Sequence, residues 1–155
     1  MARILVSLFA VLLLLSPSGT VDAQSFDATF PTTKLTVETG SGPKTFDVEV
    51  ALTSDQQAQG LMFRRKLASD AGMLFIYSPP EQVSMWMKNT LIPLDMVFVD
   101  ASGAVVKIAE RTVPMSLSII SSEAVVEAVV EFNAGTASRI GLKPGDKITW
   151  QPLGN

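Results

Sequence analysis

Between Trp86 and Asp95 the chain gathers an indole, an ammonium, an amide, a hydroxyl and a carboxylate within ten residues: Trp86-Met87-Lys88-Asn89-Thr90, then Asp95. In an extended segment over residues 83–90, Trp86, Lys88 and Thr90 share one face, and Met85, Met87 and Asn89 share the other. The indole can act as a platform and Lys88 as a donor to an anion or hydroxyl, with Asn89, Thr90 and Asp95 completing the wall of a polar-ligand pocket. A second reading uses the same residues as a corner. Met85 and Met87 then fill the core, while Lys88, Asn89 and Asp95 stabilise the bend before Pro93 through side-chain to backbone hydrogen bonds. Both readings stay open at this level.

Two further residues join the candidate ligand-binding set. Arg64 follows the first expected helix, and its fork suits a ligand carboxylate or phosphate, or an internal acid such as Asp95 or Glu131. Arg65 and Lys66 read as solvated surface charge. Glu127, Glu131 and Asn133 alternate with Val125 and Val129 and so share a strand face. At that spacing the two carboxylates lie about 13 Å apart, too far for a glycosidase pair. They read as solvent-facing, with Glu131 able to turn inward toward Arg64. No catalytic residue is assigned.

The composition removes other chemistry. The 155 residues include no cysteine and no histidine, which excludes thiol nucleophiles, disulfides, histidine bases and Cys/His zinc sites. No Gly-x-Ser-x-Gly is present, and the glycine-rich turn at Gly40 lacks phosphate-loop spacing. Twelve Lys+Arg against fifteen Asp+Glu give a net charge of −3, and no block of basic residues offers a nucleic-acid footprint. Met85-x-Met87 beside Trp86 allows a Cu(I) reading, since thioethers suit soft metals, but such ligands usually act with histidine. Gap-filling in the core is the expected role of the methionines. No metal or cofactor is assigned.

Met1-Ala2-Arg3, the apolar run Ile4–Leu15, the Ser16-Pro17-Ser18-Gly19 break and the small residues Val21 and Ala23 form a secretory signal peptide pattern over residues 1–23. The run is shorter than the roughly 20 residues a membrane span needs. Cleavage after Ala23 would give an exported, periplasmic or extracellular protein with no membrane attachment. Residues 24–31 read as a flexible lead-in and 32–152 as one domain. Within it, Lys34–Thr39 and Thr45–Leu52 alternate around a Gly/Pro turn and predict a hairpin. Ser54-Asp55-Gln56-Gln57 predicts a capped helix from about Asp55 to about Met62. Gly72–Tyr77 reads as a doubly buried strand ended by Pro79-Pro80. Val83–Thr90, Met96–Asp100, Ala104–Arg111, Ala124–Phe132 and Lys147–Gln151 follow as strands, with a short helix from Asn133-Ala134-Gly135 to Gly141. About eight short strands and two short helices predict a mainly-β domain, an antiparallel barrel or sandwich. The expected core is Leu35, Val48, Val50, Leu74, Phe75, Val97, Val99, Ile108, Val126, Val130, Ile148 and Trp150.

Gly60-Leu61-Met62-Phe63-Arg64-Arg65, Gly72-Met73-Leu74-Phe75, Met85-Trp86-Met87-Lys88-Asn89-Thr90 and Ile92-Pro93-Leu94-Asp95 occur in that order, followed by Asn133-Ala134-Gly135 and Gly141-Leu142-Lys143-Pro144-Gly145-Asp146. This series resembles the exported domain-of-unknown-function 192 family, also called an uncharacterised ancient conserved region. The resemblance covers nearly all of the chain after the leader and implies a compact, mainly-β domain behind a signal peptide. It implies no reaction. One departure is Met85, where members more often carry Phe. On these grounds the expected function is a non-catalytic binding or accessory module for a small polar ligand or a protein partner, not for nucleic acid. The alternatives are a hydrolase or lyase with Lys88 or Asp95 as its base, and the Met/Trp copper reading.

Overall fold

A computed structural model describes residues 29–153; the expected leader over 1–23 and most of the expected lead-in lie outside the described residues. The hairpin of β1 (Thr32–Thr39) and β2 (Gly42–Ala51) turns through Gly40 and Ser41, with Thr39 opposite Gly42. Helix α1 (Ser54–Gln59) follows, then β3 (Ala71–Met85), β4 (Leu94–Val99), β5 (Val105–Ala109), β6 (Ile120–Asn133), α2 (Thr136–Ile140) and β7 (Lys147–Trp150). The strands form one sheet in the order β5-β4-β6-β3-β2-β1-β7, antiparallel throughout except for the parallel β2–β3 pair. The fold is mainly β, with seven strands rather than about eight.

The sheet curls into a half-barrel whose two edges touch. Ala104 bridges Lys147, Val105 N–H donates to Asp146 O at 2.9 Å, and Ile148 N–H donates to Gly103 O at 2.8 Å. The approach is close enough that a β-carbon on Gly103 would lie 2.8 Å from Ile148 O, so this turn requires glycine.

Curling gives the sheet two buried faces. On the inner face Leu35, Val48, Val50, Leu74, Val97, Val99, Val130 and Ile148 pack together, and α2 closes the interior with Ala137 and Ile140. On the outer face Met73, Phe75, Met96, Phe98 and Val129 lie beneath Leu61 and Met87 from the crossing loops. Strand alternation sends Leu74 inward and Met73 and Phe75 outward, which is why a continuous apolar run is needed here. All six residues of β4 are buried for the same reason. Ten of the twelve expected core residues are fully buried; Ile108 and Trp150, on the edge strands β5 and β7, are partly covered.

Four local expectations need correction. Helix α1 is capped by Thr53, whose side chain accepts from Gln56 N–H while Gln56 reaches back, one residue earlier than the Ser54 pattern suggests. It stops at Gly60 and does not reach Met62, because Gly60 turns to φ 47° and closes on Gln56 O. Pro79-Pro80 does not end the strand. Between Ile76 and Glu81, β3 loops out of register against Ala128 and Val126 of β6, so the prolines sit where no ladder N–H is needed. Residues 86–90 do not continue as a strand: Thr90 N–H closes a turn on Met87 O at 3.1 Å, and Asn89 takes a left-handed φ of 57°.

Candidate functional site

The bulge in β3 opens a cleft of about 360 Å³ on the outer face, between the end of α1 and the strand. Tyr77, Glu81, Met85 and Trp86 line it from β3 and its continuation, Gly60–Met62 from the loop after α1, and Thr90 and Glu131 from the sheet side. Glu131 points outward from β6 because it alternates with the inner-facing Val130 and Phe132. It is only 4% exposed. Its carboxyl lines the cleft, and among the described residues no buried side-chain oxygen is left without a hydrogen-bond partner, so solvent reaches it through that opening. Burial pushes its pKa from 4.5 to about 8, keeping a neutral acid in the cleft at pH 7.

Tyr77 stands beside it. Its hydroxyl lies 3.6 Å from Met85 Sδ, and burial, then the charges of Glu131 and Glu81, hold it protonated far above the usual phenol range. Thr90 is buried, with its hydroxyl 3.4 Å from Lys88 O. The cleft thus presents a neutral carboxyl and two hydroxyls beneath a half-exposed indole. Those groups can donate to and accept from an uncharged polar ligand.

Trp86 forms the wall shared with a smaller hollow of about 280 Å³, lined by Met62, Phe63, Lys88 and Asn89. Lys88 Nζ sits 5.0 Å from the centre of the Trp86 ring, a cation–π pair at the surface. Asn89 holds the loop after α1: its carbonyl accepts from Phe63 N–H at 2.9 Å, and its amide nitrogen lies 3.8 Å from Met62 Sδ. Trp86, Thr90 and Glu131 therefore meet in one cleft, with Lys88 and Asn89 adjoining.

Arg64 and Asp95 lie elsewhere. The acid that meets Arg64 is Glu49 of β2, through two parallel contacts, and the guanidinium also lies 5.9 Å from the Phe30 ring. Neither Asp95 nor Glu131 is its partner. Asp95 is fully buried at the start of β4, on the inner-facing side. Its Oδ1 accepts from Arg111 N–H at 2.8 Å and Gly135 N–H at 3.0 Å, and Oδ2 accepts from Ala137 N–H at 2.9 Å. From β4 the carboxylate caps α2 and pins the segment that leaves β5 to it. Its lone pairs are directed at backbone donors, away from the cleft.

The two methionine sulfurs of Met85-x-Met87 do not converge: Met87 is buried beside Thr112, with Sδ 3.1 Å from its hydroxyl oxygen, and Met85 faces Tyr77. Among the described residues no group of three or more His, Cys, Asp or Glu side chains is placed to hold a metal ion. Tyr77 and Glu81 went unrecognised in the sequence. The available signal was a lone tyrosine, the only one in the chain, placing a hydroxyl at the end of an apolar run.

The sequence and the fold have counterparts among known proteins. The profile of the domain-of-unknown-function 192 family, described as an uncharacterized ACR, matches residues 35–150. Among solved structures, a "putative transcription regulator" from Sinorhizobium meliloti 1021 is 42% identical, with a TM-score of 0.77, covering 80% of this chain and 97% of that one. A protein of unknown function from Novosphingobium aromaticivorans DSM 12444 is 40% identical, with a TM-score of 0.76, covering 81% of this chain and 96% of that one. No curated protein matches the chain. With a profile match that runs from β1 to β7, the chain belongs to the domain-of-unknown-function 192 family.

Proposed function

We propose that the protein is a non-catalytic binding module that takes a small polar ligand in the Glu131 cleft. One observation carries the reading: Glu131, only 4% exposed and with its carboxyl kept protonated by burial, lines a cleft of about 360 Å³. A protonated carboxyl that meets water only through a cleft can both donate and accept, and a polar ligand that enters can hydrogen-bond to it there. Tyr77 and Thr90 supply further hydroxyls, and Trp86 supplies an apolar wall. The leader pattern of residues 1–23 supports a site of action outside the cytoplasm. A net charge of −3 without a basic block favours a small ligand over nucleic acid, whatever role the Sinorhizobium relative has.

A catalytic reading through Asp95 has less support, because three backbone N–H groups engage that carboxylate. Lys88 as base would have to leave the Trp86 ring. The test is a thermal-shift screen of amides, alcohols and amines on residues 24–155, repeated on Glu131→Leu. A ligand at a hundred times its Kd should stabilise the parent by about 2.7 kcal/mol. Hits that stabilise Glu131→Leu equally would place the binding elsewhere and refute the cleft.

A further inference from the structure

At the end of β6, two residues beyond Glu131, a separate hollow of about 390 Å³ lies between Arg111, on the segment leaving β5, and Arg139 on α2; Leu67, Ser69, Asn133 and Thr136 complete it. Among the described residues neither guanidinium meets an acid. The ion pairs among the described residues, Lys34–Asp47, Arg64–Glu49 and Lys107–Glu123, involve neither arginine. Among the described residues the Arg139 guanidinium donates to the Thr136 hydroxyl at 3.4 Å. Two exposed guanidinium groups line one concave space that no acidic side chain lines, an arrangement that favours a bound anion.

The position of Arg111 is built in. Its backbone takes a φ of 53°, a left-handed conformation unusual for a side chain with a β-carbon, and its N–H is held there by Asp95. The guanidinium is laid over Gly135, so that a β-carbon on that residue would sit 3.3 Å from Nη2 and 3.5 Å from Cζ. Both arginines are exposed, and what sets Arg111 apart is this held backbone and the course of its side chain over Gly135. Asp95 thereby acts as a positioning residue, fixing the chain that carries Arg111 against α2, which carries Arg139.

We propose that this hollow is an oxyanion site in which the Arg111 and Arg139 guanidinium groups bind a small carboxylate or phosphate. Paired forks match the two oxygens of either group, which lysine cannot do with the same geometry. The site is independent of the Glu131 cleft and does not rest on that reading.

The test is a titration of residues 24–155 with inorganic phosphate and, separately, with succinate, followed by amide NMR shifts at low ionic strength. Saturable shifts centred on residues 111, 133–136 and 139 are expected with at least one of the two anions, and which one saturates at lower concentration identifies the source. Arg111→Gln and Arg139→Gln should each weaken that binding about tenfold or more, with Arg111→Lys in between. Lys34→Gln, which removes the same charge from an exposed pair, should weaken it less than about twofold, and Glu131→Leu should leave it unchanged. Shifts that never saturate with either anion, or a loss in Lys34→Gln equal to that in the arginine variants, would overturn the proposal by showing only diffuse attraction. Because Arg139 lies on the exposed side of α2, Arg139→Gln retains the decisive comparison if Arg111→Gln folds poorly.

Discussion

Glu131→Gln separates the carboxyl's titration from its shape. In the folded protein Glu131 keeps its proton up to about pH 8, whereas in the unfolded chain it releases it near 4.5. Below 4.5 both states are protonated and the group favours neither. Between the two values the native state holds the extra proton, so stability falls as pH rises, and above about 8 the loss is complete. At 1.36 kcal/mol per pH unit, the interval of about 3.5 units sets a ceiling of about 5 kcal/mol. Water reaching the carboxyl through the cleft lowers the realised value, so a difference of about 2 kcal/mol or more between pH 5 and pH 9 is expected. Glutamine fills nearly the same volume and does not titrate. Urea unfolding followed by tryptophan fluorescence, at pH 5, 7 and 9, should show the two proteins close at pH 5 and Glu131→Gln progressively more stable at higher pH. Other carboxylates, such as Asp100 with its pKa lowered by Ser102, are common to both proteins and cancel in the difference. Parallel stability curves across that range would show that Glu131 is ionised in the folded state at neutral pH, and the hydrogen-bonding chemistry assigned to the cleft would fail with it.

Two further outcomes follow from the packing. Asp95→Asn replaces one of two accepting oxygens with an amide donor facing backbone N–H groups, and should cost about 2–4 kcal/mol in urea unfolding; a variant as stable as the parent would contradict the capping role. Leu74→Ala, at a fully buried inner-face position, should cost about 2–5 kcal/mol by the same measurement, and a cost under about 1 kcal/mol would mean that the half-barrel interior is loosely filled.

What was legible in the sequence was whatever strand alternation and turn chemistry encode locally. The β1–β2 hairpin, the apolar run of β3 and the glycine that closes α2 are all short-range signals, and each lies where its pattern places it. The Pro79-Pro80 pair misled because a bulge can absorb prolines that a paired strand cannot, and its register depends on β6, some fifty residues away. The turn at Asn89 escaped for a related reason. An alternating pattern of apolar and polar residues fits a strand, and only the partners Phe63, Met115 and Ser116, brought in from two other loops, select the left-handed conformation instead.

The same distinction explains why the dense polar segment divides as it does. Ten residues of an extended chain would span about 33 Å and alternate sides, so proximity in sequence cannot bring Lys88 and Asp95 to one point. The turn at residues 87–90 leaves Thr90 against the outer face, while β4 begins four residues later and sends Asp95 to the inner face, opposite Met96. The carboxylate that does reach the cleft comes from Glu131, on a strand that pairs with both β3 and β4. Its outward direction was fixed by the alternation of β6. Its burial was not, since the cover over that face is supplied by α1 and the loops at Leu61 and Met87. A strand face that reads as solvated is thus converted into a cleft by segments whose own sequences carry no sign of where they will dock.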